Sequence, residues 1–204
     1  MNRRLLLATT LLLGLGGLAA VAQTPPAPPT RIRGTIASLE GNHLIVNSRD
    51  GTKIPVTLNE PLTVVTVKKA DLNALPANSY VGIATRTGTD GKLTALEVLV
   101  FPEAMRGAGE GHYAWDLEPG SMMTNGTVKG AVSASSGREL TVGYKDDAKT
   151  IIVPAAAPVV TFAPAERADL KPGAPVFLGA TKSADGTFSA GRVTVGKDGV
   201  APPM

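Results

Sequence analysis

Cysteine is absent from this 204-residue chain. Disulfides, thiolate metal sites, cysteine nucleophiles and lipobox acylation are thereby excluded, so the fold must rest on core and β-ladder alone. Histidine occurs twice, as His43 and His112. No His-Glu-x-x-His and no Gly-x-Ser-x-Gly is present, which removes the parts that common hydrolases are built from. Aromatic residues number eight, with Trp115 the single tryptophan. After residue 22 no apolar run approaches the roughly 20 residues that a membrane-crossing helix needs.

What is present begins with a targeting pattern. Asn2-Arg3-Arg4 is a basic start, Leu5 to Leu18 is apolar or small, and Ala20-Val21-Ala22 is a small-residue cleavage pattern. Residues 1–22 read as a signal peptide cut before Gln23, or as an anchor if left uncut. The expected location is a bacterial periplasm or the surrounding medium, with no membrane span after signal removal. The formal charge of the whole chain is +3 and falls to +1 without Arg3 and Arg4. So small a charge supplies little of the field that draws nucleic acid, and no nucleic-acid partner is expected. Residues 23–30, QTPPAPPT, form a Pro-rich leader suited to polyproline conformation.

From Arg31 onward the hydropathy alternates with period two, the mark of half-buried strands. Turn signals punctuate it at Gly41-Asn42, Asp50-Gly51 and Asp90-Gly91. Separate strands are expected at 53–58 and 62–67, with Pro55 at an edge or bulge. One helical turn is expected at Lys68 to Leu72. The order then recurs. Gly34-Thr35-Ile36 is echoed by Gly130-Ala131-Val132, Leu44-Ile45-Val46 by Leu140-Thr141-Val142, and Ala70-Asp71-Leu72 by Ala168-Asp169-Leu170. The hairpin turn Asp90-Gly91 is echoed by Asp185-Gly186. The expectation is an all-β fold of two tandem, small OB-like β-barrel modules related by internal duplication, at 31–100 and 126–197. Residues 101–125 form an irregular connector between them and 198–204 a C-terminal tail. The connector is the one acidic block, with Glu103, Glu110, Asp116 and Glu118 against Arg106. It lies between two mildly basic halves on which it can dock.

The Gly-Thr-Ile opening, the Leu-x-Val strand, the Ala-Asp-Leu turn and the closing Asp-Gly hairpin together resemble small OB-like barrel modules of a bacterial domain-of-unknown-function family. The block Phe101-Pro102-Glu103-Ala104-Met105-Arg106-Gly107, with Gly109-Glu110-Gly111-His112-Tyr113 and Trp115-Asp116-Leu117, resembles a narrower group of uncharacterised exported proteobacterial proteins. The resemblance runs through the whole chain and implies no established activity. Some members of that group are called metal ABC transporter permeases. That activity does not fit a chain with no long apolar helix beyond residue 22.

Two site readings come from the connector. Met105, His112, Met122 and Met123 gather thioether and imidazole donors of the kind that favours copper, and copper handling is the alternative function. Neighbouring Met122 and Met123 would point to opposite faces of a strand, which counts against it. Trp115 and Tyr113 are the candidate ligand-binding pair, suited to stacking on a sugar ring. A third reading makes the connector carboxylates a glycan-acting enzyme. The leading expectation is a non-enzymatic binding or interaction protein of the cell envelope with no required cofactor, its partner an envelope protein or glycan. Rare residues are also what a unique joint between two copies would need. The connector is therefore read first as packing between barrels, with Trp115 buried against at least one of them.

Overall fold

The computed structural model describes residues 28–134 and 137–202. The signal peptide, most of the Pro-rich leader and the last two residues of the tail lie outside the described residues. The fold is all-β, as expected, and helix among the described residues is limited to 3-10 turns at Leu72–Ala74, Glu103–Met105 and Arg167–Asp169. Among them no helix is long and apolar enough to cross a membrane.

Strands β1 (Thr30–Glu40) and β2 (His43–Ser48) meet across Gly41, whose φ of +54° is the left-handed region that favours glycine. Strand β3 (Lys53–Lys69) runs through both of the strands expected at 53–58 and 62–67. The chain bulges between them, where Asn59 to Leu62 stand opposite Gly191 alone. Pro55 lies just before the residues that a second neighbour pairs, so its missing N–H is tolerated. Lys68 and Lys69 belong to this strand, and the expected helical turn starts later. Asp71 caps it by accepting from the Asn73 N–H at 2.8 Å. Strands β4 (Tyr80–Thr87) and β5 (Leu93–Val100) form a hairpin. Then come β6 (Gly111–Ala114), β7 (Met122–Ala134), β8 (Gly137–Tyr144), β9 (Asp147–Pro154), β10 (Val159–Pro164), β11 (Pro175–Lys182) and β12 (Phe188–Val195).

The pairing corrects the expected modules. The β4–β5 hairpin does not close on β1, β2 and β3. The ring that contains those strands is completed by the C-terminal hairpin, in the order β1–β2–β3–β12–β11 and back to β1. A second ring takes β4 and β5 together with β7, β8 and β9, closed by a parallel contact of Leu93 with Ile151 and Thr94 with Ile152. Each ring is therefore a five-strand barrel; the first joins two distant stretches of chain, and the second, built from strands of both halves, lies within residues 80–154. The physical reason is register. β12 runs parallel to β3 with Phe188 beside Val56 and Val193 beside Val64. β5 runs parallel to β9 and β10 with Leu93 beside Ile151 and Val98 beside Val159. Both parallel ladders bury apolar side chains on the ring side, which a strand from either half supplies equally well. Strand β10 joins the rings, antiparallel to β3 with Phe162 opposite Val67 and parallel to β5.

Two cores match the two rings. Ile32, Ile36, Leu44, Val46, Leu178 and Val193 are among those that fill the first. Val81, Ile83, Val98, Leu140, Val142 and Ile151 are among those that fill the second. The turn ahead of the C-terminal hairpin is pinned to the first ring. There Arg167 reaches Glu60 at 3.0 Å, the Asn42 side chain at 2.7 Å and the Gly41 carbonyl.

A chain ending at Arg167 is expected to lose hydrogen-exchange protection at Ile36, Leu44 and Val46 while the second ring stays protected. Retained protection would show that residues 31–100 close a barrel without the C-terminal hairpin. Leu178→Ala should cost about 2–5 kcal/mol in denaturant unfolding, from lost transfer energy and the cavity left behind.

Candidate functional site

The connector is ordered and partly β. Residues 122–125 begin β7, and β6 pairs with them, placing Tyr113 opposite Met123 and His112 opposite Thr124. A tight loop follows β6. The Trp115 N–H donates to the Ser121 carbonyl at 2.8 Å, and the buried Ser121 hydroxyl donates to the Trp115 carbonyl at 3.0 Å. Gly109 sits at φ +60°, and a Cβ there would stand 2.9 Å from the Asn125 amide and 3.1 Å from the Tyr113 hydroxyl. The approach matters because the Asn125 amide donates to the Ala108 carbonyl at 3.1 Å and to the Tyr113 hydroxyl at 3.3 Å. Tyr80 also donates to the Ala108 carbonyl, at 3.2 Å, and burial pushes its phenol up to about 12.

Alternation along β6 and β7 divides the proposed metal donors. His112 and Met122 share one face with Thr124, whereas Met123 faces the other way with Tyr113 and Asn125. Met105 lies apart, its sulfur 3.9 Å from the Arg192 guanidinium of the first ring. The His112 ring bonds Thr124 at 2.8 Å through Nδ1 and stacks on Tyr144 at 6.2 Å. Burial, and then the charge of Lys149, lower its pKa, so it stays neutral at neutral pH. The four donors do not converge, and among the described residues no group of three or more His, Asp or Glu does either. His43 is exposed at the start of β2.

Trp115 and Tyr113 are brought together with their ring centroids 6.1 Å apart, edge to face. Trp115 is half-buried, less than expected, and its barrel contact is polar as well as aromatic. The Arg31 guanidinium of β1 lies 3.8 Å above its ring and that of Arg33 lies 5.5 Å away. Asp116 accepts from Arg33 at 2.9 Å and from Arg31 at 3.4 Å, so the expected docking of an acidic connector occurs here. Burial alone would raise the Asp116 pKa. The hydrogen bond from Arg33 and the charges of Arg33 and Arg31 outweigh it and hold the carboxyl below the ordinary 3.8.

Behind this pair lies a cavity of about 170 Å³. Its walls hold five of the eight aromatic side chains: Phe101, Tyr113, Trp115, Phe162 and Phe177. They come from the first ring, from the connector and from β10. Gly82 and Ala84 of β4 face it, and a Cβ on Gly82 would stand 2.6 Å from the Asn125 Oδ1 and 3.0 Å from the Phe101 ring. Two polar side chains also line it, Glu97 and Asn125, only 8% and 7% exposed. The Trp115 Nε1 and the Asn125 Oδ1 are both buried and have no hydrogen-bond partner. Both atoms are enclosed by the packed wall, the Asn125 Oδ1 against the Gly82 backbone. A wider groove of about 830 Å³ between Lys69–Asn73 and Val153–Val160 gathers no aromatic side chain.

Phe162, Phe177, Glu97 and Asn125 escaped the reading from sequence. The aromatic pair belongs to strands far from the connector, so no local pattern links them. Glu97 did carry a signal, as a lone charge inside Leu93-Thr94-Ala95-Leu96-Glu97-Val98-Leu99-Val100. No family model matches the chain, and neither does any curated protein or solved structure.

Asp116→Asn should free the tryptophan loop and shift Trp115 emission to the red. The cost in stability is about 0–1 kcal/mol, because the carboxylate is 48% exposed. A depressed carboxyl contributes its stability above the unfolded value and loses it as pH falls through the folded one. The same red shift should therefore appear in the unsubstituted protein only below pH 3.8. Emission that is flat across that range would break the link between Asp116 and Trp115.

Proposed function

We propose that this chain is an exported, non-catalytic binding protein of the bacterial cell envelope, and that it holds a small ligand in the aromatic cavity at the joint of its two rings. The observation that carries this is the cavity itself, walled by five aromatic rings with the buried polar side chains of Glu97 and Asn125 among them. Pockets of that make-up, mostly aromatic with a few convergent polar groups, are where small molecules bind. A cavity of about 150 Å³ holds a benzene-sized molecule, so the ligand is the size of one ring rather than a chain of them. OB barrels that take oligomers use the face of their second and third strands. This cavity lies instead against β4, β5 and β7 of the second ring, which argues for a small ligand over a glycan chain. The targeting pattern at residues 1–22 supports export. The matched strand order of the rings supports reading them as copies of one unit that have exchanged hairpins.

Copper handling gains no support from donors divided between two faces. The test is a titration of the full chain with single-ring and similarly small organic compounds, neutral and charged, followed by Trp115 emission. At least one class should saturate. Ala84→Leu, which fills the cavity from the β4 side, should abolish that response while the melting temperature holds. A response unchanged by Ala84→Leu would place binding elsewhere, and no saturable response from any compound would overturn the reading.

A further inference from the structure

The walls of the cavity differ in how firmly they are held. Most are barrel strand, paired on both sides: β4 lies between β5 and β7, β10 between β3 and β5, and β11 between β1 and β12. The connector wall is held differently. Among the described residues β6 pairs with β7 alone, from Gly111 to Ala114. Beyond it the chain from Trp115 to Ser121 is closed on itself. The Trp115 N–H donates to the Ser121 carbonyl at 2.8 Å, the Ser121 N–H to the Glu118 carbonyl at 3.0 Å and the Glu118 N–H to the Ser121 hydroxyl at 3.2 Å. These bonds stiffen the loop without tying it to a barrel. Its polar hold on the first ring is Asp116, which accepts from Arg33 and Arg31 while Arg31 stacks on the indole. That carboxylate is 48% exposed, so water and salt reach it. The same contact encloses two nitrogen donors that nothing meets, Trp115 Nε1 on the loop and Arg33 Nε on β1. A buried donor without a partner costs stability that water restores. Closure is therefore held by an exposed ion pair and a cation–π stack and opposed by two unmet donors, terms of similar size.

Resting on the cavity reading above, we propose that residues 115–121 are a lid over the cavity and that Asp116 is its latch. The lid opens when Asp116 parts from Arg31 and Arg33. Trp115 then leaves the cavity wall, and water meets its indole nitrogen and Arg33 Nε. A ligand enters and leaves through that gap. Because Trp115 lines the cavity only in the closed form, a ligand that touches it binds that form better and shifts the balance toward closure.

The absence of cysteine makes the lid measurable on the full chain without any ligand. Ala84 lines the cavity and is 2% exposed, so Ala84→Cys sets a lone thiol where a reagent arrives only through an opening. The probe is N-ethylmaleimide, neutral and the size of one ring. Labelling slower than the lid's motion follows the open population. Adding Asp116→Asn should speed labelling roughly two- to fivefold, the range that losing an exposed pair allows. Raising salt from about 0.1 M to about 1 M shortens the screening length from about 10 Å to about 3 Å. It should speed labelling likewise while Asp116 is present and add nothing in Asp116→Asn. Exchange protection of the Trp115 amide should hold throughout, because its bond to Ser121 lies inside the moving loop. Labelling that Asp116→Asn and salt leave unchanged would overturn the lid and put the entrance past Glu97, where the cavity and the wider groove share a wall. Faster labelling with loss of Trp115 amide protection would overturn it too, as local unfolding. Should Ala84→Cys fail to fold, acrylamide quenching of Trp115 decides: a rise in Asp116→Asn supports the lid, and equal quenching overturns it. None of these measurements uses a ligand, so their failure leaves the cavity reading to the compound panel, and a silent panel leaves the lid to them.

Discussion

The parallel ladders that close the two rings govern the rest of the molecule. β12 lies along β3, and β5 lies along β9 and then β10. A parallel pair cannot be made by a tight turn; it needs a long crossover. In the first ring the closing strand arrives from far along the chain and the crossover contains the whole second ring, whereas the second ring is built from residues 80–154 in sequence. The first core cannot form from the N-terminal strands alone. Ile36 and Leu44 near the start wait on Leu178 and Val193 near the end. Such long-range closure raises contact order and slows folding of the first ring, but it fastens β1–β3 to β11 and β12 without a disulfide. That suits a chain with no cysteine.

The joint follows from the exchange. Because each half contributes a hairpin to the opposite ring, the outer faces of β4, β5 and β7 are held close to β1 and β11. Outer faces of a barrel are ordinarily polar. Here they carry Phe101, Phe177, Leu99 and Met123, which only makes sense where two such faces shelter each other. The connector seals one side of that space. Its anchors include the Gly109 turn under Asn125, the Asp116 pair with Arg31 and Arg33, and Glu110, which accepts from the Lys145 N–H at 2.9 Å.

Local features were legible in the sequence and distant ones were not. The period-two runs and the turns at Gly41-Asn42 and Asp90-Gly91 depend on neighbouring residues, and the strands lie where they predict. The division of Met122 from Met123 also followed from strand geometry. The merging of two strands into β3 was hidden because Pro61 reads as a breaker, yet a bulge absorbs it. Hairpin exchange left no local trace at all. The same turn and the same alternating strands serve either ring, and only the paired register of Phe188 with Val56 decides between them. Tyr113 and Trp115 were visible as a site because they are rare and adjacent. Phe162 and Phe177 were indistinguishable from ordinary strand aromatics until the fold placed them across the same cavity.

The cavity is better understood as a choice than as a packing defect. A gap between two β surfaces is readily filled: Ala84 faces it, and a larger side chain there would close much of it, whereas Gly82 is held small because a Cβ on it would stand 2.6 Å from the Asn125 Oδ1 and 3.0 Å from the Phe101 ring. Closing it would set side-chain atoms where the walls now face empty space, and the added dispersion attraction would stabilise the joint. Instead an alanine stands beside the largest side chains, and the polar side chains of Glu97 and Asn125 are buried in the same wall. Packing alone does not favour that alanine. A ligand that fills the space would account for it.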